Sequence, residues 1–168
     1  AVFLDSQGRS YTLPAHSLPS ARGQGEPLTG RFNPADGAQF IAVMLSGADS
    51  RYILTSDYGY GFICSAEDLY SRNKAGKKIL TVPQGAGVLA PVLVRALDDE
   101  YIIALSSAGH MLVTPLAELP LMAKGKGIKF ISIPNTKLKS AEERVKHVAL
   151  WQPGESITVF CGKKHKTM

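Results

Sequence analysis

The chain has 168 residues, 45% of them hydrophobic, and a formal net charge of +5. That length suits one ordinary domain with a real core, and the apolar fraction excludes global disorder. No apolar run reaches the roughly 18 residues of a membrane-crossing helix, and no signal peptide opens the chain. The basic excess favours nucleic acid, an acidic membrane surface or an acidic protein as partner, against solubility alone.

Taken in order, the chain repeats itself. "VFLDSQGRSYTL" (2–13) reads as an apolar strand, a small polar turn with glycine and a second apolar strand. A glycine-rich connection "SARGQGEPL" (20–28), the short "RFNP" (31–34) and an apolar run "FIAVML" (40–45) follow. The same order returns in "ILTSDYGYGFIC" (53–64), "SRNKAGKKI" (71–79), "ILTVP" (79–83) and "APVLV" (90–94). It returns again in "IALSSAGHMLVT" (103–114), "MAKGKGIKF" (122–130), "FISIP" (130–134) and "HVALW" (147–151). Gly8, Gly59 and Gly109 form one column, 51 and 50 residues apart, and Leu18, Leu69 and Leu119 form a second. The units are therefore 1–50, 51–99 and 100–156, with a further unit beginning at 157–168, where "ITVFCGKKHK" opens and the chain stops in mid-pattern. The chain reads as a piece of a longer protein.

A two-residue hairpin turn needs positive φ, which glycine adopts without steric cost, so each column glycine joins two antiparallel strands. The one longer helix expected is "KSAEERVKHV" (139–148). About four strands per unit of roughly 50 residues predicts an all-β, propeller-like radial array of small sheets. A β-sandwich would not explain the spacing. Cys64 and Cys161 each sit in a short apolar run and read as buried, reduced thiols.

"MAKGKGIKF" has the glycines and lysines of a phosphate loop, but no Ser or Thr follows its lysine and no amphipathic helix follows the loop, so it is not a mononucleotide site. It occupies the same slot as the connections of the other two units. Arg22 stands in the first, Arg72, Lys74, Lys77 and Lys78 in the second, and Lys124, Lys126 and Lys129 in the third. Lys163 and Lys164 are placed in the corresponding loop of the next unit. In a radial array one slot recurs along one rim, so these residues would line a curved basic band, while Asp98-Asp99-Glu100 and Glu142-Glu143 lie elsewhere. Such a band suits the phosphates of a bent duplex, because Lys and Arg release counterions without reading sequence. The competing reading is a protein-interaction module whose basic rim meets an acidic partner. An enzyme sited at a central channel is disfavoured, because the aligned strand starts are apolar. The four histidines and two cysteines show no zinc spacing. Arg51-Tyr52 reads as the start of a strand, Trp151 as core, and "DYGYGF" (57–62) as a hairpin whose aromatics pack in the sheet.

"LPSARGQGEPLTG" (18–30), "SDYGYGFIC" (56–64), "RNKAGKKILTVP" (72–83) and "KGKGIKFISIP" (124–134) resemble the C-terminal DNA-binding region of bacterial topoisomerase IV A subunits, the sister family of the gyrase A subunits. The gyrase glycine box Q-R-R-G-G-K-G has no match here. The resemblance implies a β-pinwheel, a propeller-like disc whose blades exchange strands, present here as a partial or open disc. It implies double-stranded DNA bent around the basic edge, no cofactor and no catalytic residue in this region, and a monomeric fragment without a small-molecule ligand. It further implies a parent enzyme that relaxes and decatenates DNA, a dimer of A subunits with a B subunit, using ATP and Mg²⁺ through other parts. That enzyme would be nucleoid-associated in the bacterial cytoplasm, or peripheral at the inner face of the membrane.

Overall fold

Short runs of β-branched and aromatic residues, cut by Gly, Pro, Ser and Asp, become short strands here because none is long enough for a stable helix. A computed structural model describes residues 1–20, 22–95 and 98–168, with the Cys161 side chain left out. The first unit contributes β1 (Val2–Asp5), β2 (Arg9–Thr12) and β3 (Phe40–Met44). The second contributes β4 (Arg51–Thr55), β5 (Tyr60–Ser65), β6 (Lys77–Lys78) and β7 (Val92–Leu93). The third contributes β8 (Tyr101–Ser106), β9 (Met111–Pro115), β10 (Ile128–Lys129), the short helix α1 (Asn135–Lys139) and β11 (Val145–Trp151). A last hairpin pairs β12 (Thr158–Cys161) with β13 (Lys164–Thr167).

The sheets do not coincide with the units. Their strand orders are β3-β1-β2-β6, β10-β5-β4-β7 and β11-β8-β9. The two-residue strand β6 leaves the second unit to pair with β2 of the first, setting Lys78 opposite Arg9 and Lys77 opposite Ser10. In the same way β10 leaves the third unit and pairs with β5 of the second, setting Ile128 opposite Gly61 and Lys129 opposite Tyr60. Among the described residues no strand pairs with the outer edge of β9. Among the described residues the first unit has no strand paired with another unit's sheet. Its third segment is a 3₁₀ turn, Leu28–Gly30, after which Phe32 folds back onto its own sheet against Phe3, Tyr11 and Phe40.

Alternation within the strands sorts side chains between neighbouring sheets. Val2, Leu4, Tyr52, Leu54, Phe62 and Leu80 pack between the first two sheets. Ile53 and Ile63 point the other way, into a second core with Ile102, Ala104, Ile131 and Val145. Burying such a side chain is worth about 1.5–3 kcal/mol, so the second sheet is held by both of its neighbours. Cys64 lies in the first core, where burial, with Asp68 adding to it, pushes its thiol up to about 12. The expectation for Cys161 falls outside the described side chains. Tyr52 is buried in that core and its hydroxyl donates to Ser46 Oγ at 2.7 Å, so Arg51-Tyr52 does open a strand.

Two expectations are corrected. The first three hairpins close with three-residue loops, not two. Gly8 N donates to Asp5 O, Gly59 N to Ser56 O and Gly109 N to Ser106 O, at 3.1, 2.9 and 3.0 Å, with the glycine at positive φ. A type I turn followed by a left-handed glycine is the geometry these loops need. Only the last hairpin has a two-residue turn, Gly162-Lys163. The helix expected over 139–148 is also misplaced: α1 covers Asn135–Lys139, Ala141 turns at φ 58°, and Val145 starts β11. A bulge between Val145 and His147 shifts the register, and Val145 and Val148, three apart in sequence, both face the second core, which imitates helical spacing inside a strand.

Candidate nucleic-acid interface

The connection before β6 is a tight structure. Asn73 Oδ1 accepts from Ala75 N at 2.9 Å, Asn73 O accepts from Gly76 N at 2.9 Å, and Lys74 O accepts from Asn33 N at 2.8 Å. Gly76 at φ +73° lies so close to the sheet that a Cβ would stand 2.6 Å from the Tyr11 ring. In the third unit Gly127, at φ +77°, occupies the same place, and a Cβ there would run into the Gly61 carbonyl. These glycines let the chain cross a neighbouring sheet at close range; their role in the loop is packing. Gly25 of the first unit has positive φ and, among the described residues, open space around it.

The two crossing segments lie side by side. Gly125 N donates to Ile79 O at 2.8 Å, and Thr81 N donates to Gly125 O at 2.7 Å, with a parallel bridge between Leu80 and Gly125. This backbone seam runs directly after Lys77 and Lys78 on one segment and between Lys124 and Lys126 on the other. Arg72, Lys74, Lys78 and Lys124 are exposed and make no side-chain hydrogen bond or ion pair among the described residues. Lys77 is exposed too, and its Nζ donates to Asp68 O at 2.7 Å. Lys126 Nζ sits 4.4 Å from the centre of the Tyr60 ring. Lys129 is half-buried and donates to Ile133 O at 2.9 Å, so it is partly engaged by its own chain.

The other basic residues predicted for the band, Arg22, Lys163 and Lys164, are not on these two segments. Arg22 is exposed, and its connection leads to the 3₁₀ turn Leu28–Gly30, which pairs with no sheet among the described residues. Lys163 and Lys164 are exposed in the turn and first position of the β12–β13 hairpin, not in a crossing loop. They belong to the column of Gly109 and His110, which corrects their expected placement.

Two residues at the seam escaped the loop-based reading: Arg9, whose Nη1 donates to Ala75 O at 3.2 Å and Gly76 O at 3.0 Å, and Tyr60 beneath Lys126. Their sequence signal is their shared position directly after the hairpin glycine. In the third sheet that position is His110, and its surroundings are acidic. Glu143, expected to lie away from the basic positions, is buried there. It accepts from His110 Nδ1 and Ser106 Oγ, each at 2.6 Å, and pairs with Lys137 at 3.4 Å. The His110 and Ser106 hydrogen bonds, helped by Lys137, hold its carboxyl down at about 2. Asp57 is likewise occupied, by Arg144 Nη1 at 3.0 Å, with the guanidinium over the Tyr58 ring. Just before β8, Arg95 bridges buried Glu100 and exposed Glu155, at 2.7 and 2.8 Å. Among the described residues no cluster of His, Cys, Asp and Glu could hold a metal ion, and no helix is long and apolar enough to cross a membrane.

The family model "DNA gyrase C-terminal domain, beta-propeller" matches residues 52–95 and 100–150. The chain is 46% identical over 164 residues to the A subunit of DNA topoisomerase 4 from Pseudomonas aeruginosa, and 40% identical over 163 residues to that of Escherichia coli K12. These alignments cover 98% and 97% of the chain but 22% of each relative, so the chain spans under a quarter of the curated relatives' length. A solved structure of the E. coli ParC C-terminal domain superposes with a TM-score of 0.92 at 39% identity, covering 99% of this chain and 67% of that one. An all-β architecture of strand-exchanging sheets agrees with all three likenesses, and the chain belongs to the DNA gyrase C-terminal domain family, as a homologue of the C-terminal region of topoisomerase IV A subunits.

Proposed function

We propose that this region binds duplex DNA without sequence preference and bends it along the strip formed by the two crossing loops. The observation that carries this reading is the backbone seam between Ile79–Thr81 and Gly125, which lays the loop that ends in Lys77 and Lys78 beside the loop that carries Lys124 and Lys126, with Arg72 and Lys74 exposed earlier in the first of them. Flexible lysines beside glycine turns suit phosphates better than base edges. A smooth bend of 40–90° over 20–30 bp costs about 1–6 kcal/mol, which phosphate contacts on successive sheets offset. Lys129 contributes less than its neighbours because its ammonium already serves Ile133 O.

In the whole protein this surface would guide a duplex toward the reaction of a type II topoisomerase that relaxes and decatenates DNA. The remainder of the A subunit, together with a B subunit, would supply the nucleophile, Mg²⁺ and ATP hydrolysis, in the bacterial cytoplasm at the nucleoid.

The test is fluorescence anisotropy with random duplexes of about 20 and 40 bp over a salt series, where a log K against log[salt] slope near −4 to −8 means about five to nine phosphates engaged. Tighter binding to the longer duplex supports an extended path. Neutralising Lys74, Lys77 and Lys78 together should weaken binding more than neutralising Lys163 and Lys164, which lie off the seam. Equal losses would move the surface elsewhere. No binding at low salt would sink the proposal and favour an acidic protein partner.

A further inference from the structure

Arg9 and Tyr60 occupy one column of the repeat, directly after the hairpin glycines Gly8 and Gly59. Each stands opposite the last residue of the crossing strand laid on it, Arg9 facing Lys78 and Tyr60 facing Lys129. Two cations directly opposite on adjacent strands repel, so Arg9 beside Lys78 weakens the pairing unless its charge has another object. The object is the preceding turn. Nη1 of Arg9 reaches the Ala75 and Gly76 carbonyls, the end of the loop that carries Arg72 and Lys74. A planar guanidinium holds such a fixed arrangement where a lysine ammonium, a mobile point charge, does not.

At Tyr60 the chemistry differs but the loop served is the corresponding one. The ring lies 4.4 Å from Lys126 Nζ and 6.0 Å from Lys129 Nζ, within cation–π range of both. It forms a floor for two lysines of the third unit's loop. The third position of the column, His110, is tied to Glu143, and no crossing loop lies on it among the described residues.

We infer that Arg9 and Tyr60 are positioning residues, each fixing the basic loop of the following unit in the orientation that meets DNA phosphates. This rests on the reading of the seam as a DNA surface. Arg9 acts through the loop's backbone carbonyls, and Tyr60 acts through the lysine side chains themselves.

Four variants separate positioning from direct contact: Arg9→Lys, Arg9→Ala, Tyr60→Phe and Tyr60→Leu, each checked for folding by thermal unfolding. Two readouts are taken, duplex binding over a salt series and the sites of limited trypsin cleavage without DNA. Arg9→Lys keeps the charge, yet it should lose affinity about as much as Arg9→Ala, roughly two- to tenfold. Tyr60→Phe should bind like the unmodified protein, while Tyr60→Leu should bind about two- to fivefold more weakly. Trypsin should cut faster after Arg72 and Lys74 in both Arg9 variants, and after Lys124 and Lys126 in Tyr60→Leu, each variant affecting its own loop only. Normal binding by Arg9→Lys, with a slope lowered by about 0.9 in Arg9→Ala, would make Arg9 a phosphate contact and overturn the inference. Unchanged affinity and cleavage in all four variants would overturn it as well. If the unmodified protein binds no duplex at low salt, the DNA reading falls first and takes phosphate positioning with it.

Discussion

The hairpin glycines of the first two sheets and of the third have almost the same backbone, with φ of 79°, 82° and 83° at Gly8, Gly59 and Gly109, yet their surroundings differ. A Cβ on Gly8 would run into the Leu80 carbonyl, and one on Gly59 would stand 2.6 Å from Ile131 Cγ2, whereas one on Gly109 would meet nothing within 4 Å. Gly8 and Gly59 each hold down a crossing segment, through Gly8 O accepting from Ile79 and Leu80 N, and Gly59 O accepting from Phe130 N. The turn therefore needs glycine for its φ everywhere, and for close packing only where the next unit crosses.

The largest expected effect tests that distinction. Gly59→Ala adds a left-handed penalty of about 1–2 kcal/mol to an overpacking cost of about 1–3 kcal/mol. Gly109→Ala incurs only the first. Urea unfolding should show the Gly59 variant losing clearly more stability; equal losses would mean the crossing segment yields at little cost.

A second contrast concerns how the turns are fastened. Asp5 caps its turn within the unit, Oδ1 accepting from Gln7 N and Arg9 N, both at 2.9 Å, and Oδ2 from the Tyr11 hydroxyl at 2.8 Å. In the third sheet Ser106 Oγ takes those turn amides, and Glu143 supplies the carboxylate from 37 residues away. Because the folded carboxyl is held at about 2, below its ordinary 4.5, Glu143 stabilises the fold fully above about pH 4.5. That contribution is lost as pH falls toward 2. Urea midpoints measured from pH 6 to pH 2 should fall in acid, and Glu143→Gln should begin lower and flatten that part of the decline. An identical acid profile in the variant would assign the loss to other groups.

The smallest effect is expected at the second sheet. There Ser56 holds the same position, but its buried Oγ has no hydrogen-bond partner among the described residues. Ser56→Ala should change stability by less than about 0.5 kcal/mol, or raise it, because no bond is lost and an orphaned hydroxyl is removed. A loss above about 1 kcal/mol would show that this hydroxyl is satisfied in solution.

The repeat was legible in the sequence because the turn glycines and the Leu18, Leu69 and Leu119 column recur at one spacing, and a left-handed turn tolerates few substitutes. The exchange of strands was not legible from residue patterns. Lys77–Lys78 and Ile128–Lys129 are two-residue strands, too short for any periodicity to show. Only the resemblance supplied that feature. Arg22 shares its glycine pattern with the other loop cations, but among the described residues its segment pairs with no sheet, and Phe32 packs in an aromatic cluster of its own unit. Lys163 and Lys164 mimic a crossing loop in composition while standing in a hairpin. Arg9 and Tyr60 belong to strands, outside the glycine- and lysine-rich loops that carry the sequence signal.

Exchange also sets a clock on synthesis. The first sheet lacks its outer strand until residues 77–78 have been made, and the second lacks its own until residues 128–129 follow. At about 5–20 residues per second, each newly made hairpin stays uncovered for several seconds before its partner arrives. During that interval the edge of β2 is open to any other nascent chain, and the charge of Arg9 on that edge disfavours such pairing before it serves the folded protein.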